Sequence, residues 1–78
     1  MSQTVLANAL FERGDAFVQL SLRAEGTELT VEAVEGGVEA GARHGRLLVC
    51  WSGADRTEAE MAFTGRQADL EKLGYVRH

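Results

Sequence analysis

Apolar and polar side chains alternate most regularly over residues 17–24 and again over residues 27–34. A period of two is typical of strands that bury one face of a sheet. A two-residue loop at Glu25-Gly26 predicts a hairpin in which both apolar sets lie on one face, whereas a slip of one residue would expose them. The pairs of this register are Leu22 with Leu29, Leu20 with Val31, Val18 with Ala33, Arg23 with Glu28 and Ser21 with Thr30.

The chain before this hairpin favours a short helix over residues 5–13. Thr4 is a suitable N-cap, and Gly14 stands where a left-handed C-terminal residue is needed. The apolar stripe is imperfect because Val5 and Phe11 lie off it. A strand over the same residues therefore remains the alternative.

After the hairpin, residues 35–46 contain four glycines and predict a flexible connection, with at most a short strand near residues 38–42 that turns at His44-Gly45. The apolar run 47–52 predicts a buried strand. Its expected partner is a strand over residues 58–64, joined to it by a turn at residues 53–57.

The last element is predicted as a helix that begins at a Thr64/Gln67 capping box and ends before Gly74. Tyr75 is expected to fold back on Leu70, and the last two residues are expected to fray. The result is one α+β domain over residues 1–78. Its roughly four-stranded antiparallel sheet follows the order α-β-β-β-β-α, with helices packed on one face.

The charge is distributed unevenly along the chain. The formal net charge is −4, yet residues 24–42 carry five glutamates and no base, so this segment alone contributes −5. Direct binding to nucleic acid is not expected, because it depends on clustered Lys and Arg. We expect the segment to dock onto a protein or nucleoprotein partner with a basic surface. A solvated charged strand is the alternative. The glutamates are Glu25, Glu28, Glu32, Glu35 and Glu39.

Candidate chemistry is sparse. Cys50 lies in an apolar run without an adjacent positive charge that would activate its thiol, and His44 belongs to the glycine-rich segment. The two histidines and one cysteine have no zinc-ligand spacing, and the glycine-rich segment lacks the Gly-Lys-Ser/Thr ending of a phosphate loop. We therefore predict no catalytic residue, no metal, no cofactor and no enzymatic activity.

Three apolar residues are candidate anchors for a partner. Trp51 shares the alternation phase of the buried set, so a core position is favoured over an interface position. Phe17 falls on the polar phase, and the predicted register places it opposite Val34. An exposed Phe17–Val34 pair would be a contact patch, unless the N-terminal helix covers it.

These features predict a small, acidic, non-enzymatic protein that acts by occupying a macromolecular partner. Seven arginines against one lysine suggest a bacterial or phage gene. In size and charge alone the chain is similar to inhibitors of CRISPR complexes, nucleic-acid mimics and immunity proteins. The alternative is a structural subunit, such as a small homodimer. Without a signal-peptide pattern or a long apolar run, we expect a cytoplasmic protein that does not enter membranes.

Overall fold

The computed structural model describes residues 3–78 as a five-stranded antiparallel sheet with one helix on it. The α+β class is confirmed, but the order of elements is β-β-β-β-α-β. No helix of the described residues is long and apolar enough to cross a membrane. The elements are β1 (Thr4–Arg13), β2 (Ala16–Glu25), β3 (Glu28–Glu39), β4 (Ala42–Gly53), α1 (Arg56–Lys72) and β5 (Val76–Arg77), and the strands lie in the order β4-β3-β2-β1-β5.

Two-residue turns join the first four strands into a meander. Gly14 and Gly26 each have a φ of 59° at the first turn position, as type II′ turns require. The β2–β3 turn is therefore Gly26-Thr27, and not Glu25-Gly26 as predicted. The predicted faces of this hairpin are correct, but its register is wrong by two residues, so that Leu22 pairs with Val31.

The core lies between the helix and one face of the sheet. Phe11, Leu20, Val31 and Leu70 are almost completely inaccessible. On α1 the buried positions recur at helical spacing. They are Ala59, Phe63 and Leu70.

The predicted N-terminal helix is wrong, because residues 4–13 form β1. Ala9 and Phe11 point into the core from alternate positions, whereas Leu10 lies on the opposite face. The alternation of a strand buries Phe11, whereas the predicted helix did not place Phe11 on its apolar face. Gly14 serves the hairpin turn and does not end a helix.

The predicted strand over residues 58–64 is also wrong, because α1 begins at Arg56. Asp55 is its N-cap: its carboxylate accepts a hydrogen bond of 3.0 Å from the Glu58 backbone N–H. Thr64 and Gln67 therefore lie inside the helix and form no capping box. The helix buries Ala59, Phe63 and Leu70 on its inner face, while Met61 is 69% exposed. Because apolar residues lie on both the inner and the outer face, the helical period in the sequence is weak.

The C-terminal end of α1 follows the prediction at Gly74, where φ is 92°. The backbone N–H groups of Gly74 and Tyr75 donate to Glu71 and Leu70, the paired hydrogen bonds of a Schellman ending. Tyr75 packs against the core cluster that contains Leu70. The predicted fraying of the last two residues is wrong: Arg77 belongs to β5, which pairs with β1.

Residues 35–46, predicted as a flexible connection, form the long β3–β4 ladder, which turns at Ala40-Gly41. The predicted strand over residues 47–52 is present within β4. It is an edge strand and is not buried: Leu47 and Val49 are 59% and 63% exposed. The helix covers the opposite side of the sheet, so these two side chains have no layer over them.

Candidate functional site

The sheet has one face that α1 does not cover, which we call the open face. On β2 it carries the alternate residues from Phe17 to Glu25, and on β3 those from Glu28 to Gly36. No element among residues 3–78 packs over this face. The molecule measures 39 × 28 × 17 Å and is therefore a thin slab with one exposed side.

Three of the five predicted glutamates lie together on the open face, at its β2–β3 hairpin end. We call Glu25, Glu28 and Glu32 the acidic corner. Glu25 and Glu28 are directly opposite each other across the two strands. Glu32 lies 3.4 Å from the Nε of Arg23, so within residues 3–78 this is the one member that a neighbouring base partly neutralises.

An apolar stripe, Val34, Leu47 and Val49, continues from the acidic corner along the same face. Leu47 pairs with Val34, and Val49 pairs with Glu32, so stripe and corner meet at one cross-strand pair. A shallow cleft of about 320 Å³ lies where they meet. Its lining includes Arg23, Glu25, Glu28, Glu32, Val49 and Ser52.

The other two predicted glutamates do not belong to this site. Glu35 points to the helix side, where its Oε1 lies 2.5 Å from an Nη of Arg66 on α1. Glu39 lies at the distant end of β3 and pairs with Ala42 beside the β3–β4 turn. The five glutamates therefore do not form a continuous row.

The predicted Phe17–Val34 patch is not formed. Phe17 pairs with Gly36, whereas Val34 pairs with Gln19. Phe17 is only 6% exposed, and the guanidinium of Arg43 lies 5.2 Å from its ring centre. The predicted N-terminal helix is not what covers Phe17, because this helix does not exist.

Phe17 is accommodated by a glycine on β4. A Cβ at Gly45 would lie 3.1 Å from the ring and 2.7 Å from the Val34 side chain. The glycine-rich segment thus serves close packing on the open face, not chain flexibility. Phe17 is a support for this face, and Val34 is the member of the predicted pair that lies in the apolar stripe.

Trp51 lies on the helix side of the sheet and packs, partly buried, against the core cluster. It pairs with Val31, one of the least accessible core residues. Its position agrees with the favoured core interpretation. The shared phase with Leu47 and Val49 is wrong, because the register irregularity at Cys50 places Trp51 on the opposite face from them. Trp51 is therefore on the other side of the sheet from the acidic corner.

The candidate chemical groups do not converge. Cys50 is exposed, and His44 lies six residues earlier on the same strand, about 20 Å away at the rise of a β-strand. No cluster of three His, Cys, Asp or Glu side chains suited to a metal ion is present among residues 3–78. The arrangement of the described residues offers a surface for binding and no grouped reactive side chains.

The sequence reasoning missed Leu47 and Val49 as surface residues. A run of five apolar residues is normally a buried strand. The available signal was the charged residues around the run, because Arg43 and Arg46 precede it on the same strand. Comparison of the chain with family models, with curated proteins and with solved structures finds no match.

Proposed function

We propose that this chain is a small, acidic, non-enzymatic binding protein that inhibits a macromolecular partner by occupying a basic surface on it. The observation that carries the proposal is the contact between the acidic corner and the apolar stripe on an uncovered face. Protein interfaces commonly combine an apolar centre with a polar rim that sets orientation. Val49 and Leu47 supply the centre here, and Glu25 and Glu28 supply the rim.

The positions of the glutamates favour one class of partner over another. A mimic of a nucleic-acid strand needs negative charges in an extended row. Glu35 is held by Arg66, and Glu39 lies at the opposite end of the sheet. A compact basic patch on a protein or nucleoprotein, next to an apolar pocket, fits the three glutamates of the corner better than a long phosphate-binding groove does.

Electrostatics and apolar contact have separate parts in this proposal. The acidic corner steers the approach of a basic partner and discriminates against acidic ones. Leu47 and Val49 provide most of the area that is removed from water on binding. We therefore expect the association rate to fall with added salt, and the dissociation rate to depend on the apolar stripe.

The test is affinity capture from nuclease-treated lysate of the source organism with matched charge reversals. Glu28→Lys changes the acidic corner, and Glu71→Lys makes the same change in net charge on an exposed position of α1. We expect the wild type and Glu71→Lys to retain one basic protein or complex, and Glu28→Lys to lose it. Equal capture by all three proteins would contradict the proposal.

A further inference from the structure

Within the described part of the chain, residues 3–78, strand β4 presents a long unpaired backbone edge. It pairs with β3 on one side only, and residues 42–49 run without a bulge, because the register irregularity lies at Cys50. The strand contains neither proline nor lysine, which natural edge strands commonly use to prevent pairing. The two arginines of the strand, Arg43 and Arg46, lie in its first half, and residues 47–52 carry no charge.

The other edge of the sheet is much less open. Strand β5 covers β1 at Phe11 and Glu12, and the backbone N–H of His78 donates to the Leu10 carbonyl at 2.8 Å. A register irregularity interrupts β1 between Val5 and Ala7. With one long open edge, pairing of like edges gives a closed two-fold dimer, whereas two long edges would permit a growing fibre.

The chain is also more extended than a typical compact domain of its length. Its radius of gyration is 13.0 Å, and a compact domain of this length is expected to have about 11.5 Å. Its accessible surface is 5031 Å², compared with about 4,700 Å² for a typical monomer of this mass. A second copy alongside β4 would cover part of this excess surface.

We propose that two copies of the chain associate through antiparallel pairing of β4 with β4, with Leu47 on the two-fold axis. The dimer would have one continuous sheet of ten strands, five from each copy. Directly opposite residues in an antiparallel pair point to the same face of the sheet. The two-fold axis therefore has to pass between the two copies of one residue, which pairs with itself. Four residues near the centre of the edge are candidates for this self-paired position: Gly45, Arg46, Leu47 and Leu48.

Charge and the bulge select Leu47 among the four. An axis at Arg46 would place two guanidinium groups opposite each other, and an axis at Leu48 would leave only Val49 between the axis and the Cys50 bulge. An axis at Gly45 would leave Val49 opposite a turn residue. With Leu47 on the axis, each Arg46 lies opposite the partner's Leu48 and each Arg43 opposite the partner's Trp51, so no two arginines face each other.

The two-fold axis is perpendicular to the sheet, so both helices lie on one side and both open faces lie on the other. The two apolar stripes become neighbours at the centre, with one acidic corner on each side. Dimerisation uses the backbone edge of β4, while the side chains of Leu47 and Val49 remain on the open face. The inference therefore does not depend on the proposed function. A dimer of this kind would carry two copies of the proposed binding surface on the same side.

Disulfide trapping tests the register directly, with purified protein and Cys50→Ser as the background. Leu47→Cys places two thiols on directly opposite residues, within the Cα separation of about 4.4–6.8 Å that a disulfide spans. Val49→Cys is the matched control, because its two copies would be four residues out of register, about 13 Å apart. Both positions are exposed, so either substitution is tolerated by the fold.

We expect mild oxidation to link Leu47→Cys into a covalent dimer at least tenfold faster than Val49→Cys. Sedimentation of the unmodified wild type should show a reversible dimer, weak because the interface is small, at less than about 1,200 Å² in total. Equal trapping of the two variants, or trapping of neither, would overturn the proposal. So would a wild type that stays monomeric up to about 1 mM, where even weak pairing becomes visible.

Discussion

Glu25 and Glu28 lie directly opposite each other at the end of the β2–β3 hairpin. Like charges in this position destabilise a strand pair. The Gln3 side-chain amide donates to Glu25 at 3.0 Å but carries no charge that would neutralise the pair. The fold therefore retains an unfavourable contact at the place where we propose that a basic partner binds.

Replacing Glu28 by lysine should stabilise the folded chain. The substitution converts a repulsive cross-strand pair into an attractive one, for which we expect an increase of about 0.5 kcal/mol in the free energy of unfolding. Urea denaturation at low salt measures it, and the increase should shrink when salt is added. Because the same variant is expected to lose the partner, unfolding would not account for the loss. A destabilised Glu28→Lys protein would contradict this reasoning.

The sequence predicted the β2–β3 hairpin faces but not its register. Alternation determines which side chains share a face, and a shift of two residues preserves that set completely. The register depends on where the turn falls. Gly26 takes the first position of a type II′ turn, so the turn extends to Thr27 and displaces every predicted pair by two.

Two adjacent glycines of β3 should respond very differently to alanine. A Cβ at Gly36 would lie 1.8 Å from the His44 carbonyl oxygen, whereas the nearest atom to a Cβ at Gly37 is 3.5 Å away. Gly36→Ala has to displace the backbone of β4 and should cost at least about 2 kcal/mol of stability. Gly37→Ala should change stability by less than about 0.5 kcal/mol. Thermal denaturation of the pair measures the difference, and similar melting temperatures would refute the close approach of the strands.

The β3–β4 turn contains an alanine in a left-handed conformation. Ala40 has a φ of 53°, and Gly41 follows it with a φ of 80°. A side chain at such a φ costs about 1–2 kcal/mol, a penalty that asparagine largely avoids. Ala40→Asn should therefore raise the free energy of unfolding by about 1 kcal/mol, and Ala40→Val should lower it. Equal stability of the two variants would mean that residue 40 does not adopt a left-handed conformation.

The contact between Glu35 and Arg66 should be structural. The two side chains are 31% and 32% exposed and join β3 to α1. A double-mutant cycle of Glu35→Gln and Arg66→Met should give a coupling of about 1 kcal/mol, between the values for exposed and buried pairs. Glu35→Gln should leave capture of the partner unchanged. Loss of the partner with unchanged stability would instead place Glu35 in the interface.

The candidate site was only partly accessible from the sequence. The excess of glutamate in residues 24–42 drew attention to Glu25, Glu28 and Glu32, and the strand period places these three on one face. The apolar part was not accessible, because exposure of Leu47 depends on the position of β4 at the sheet edge. This position depends on residues 56–72 being a helix, and apolar residues on both faces of that helix gave no clear helical period.

The most direct test of the binding surface is photo-crosslinking from two equally exposed positions. A photoreactive amino acid at Val49 lies beside the acidic corner, and one at Met61 lies on the outer side of α1. We expect lysate crosslinking to give one discrete adduct with a basic protein from Val49 and none from Met61. This adduct should disappear when Glu28 is also changed to lysine. Adducts of equal yield from both positions, or an adduct from Met61 alone, would show that the open face is not where this protein meets its partner.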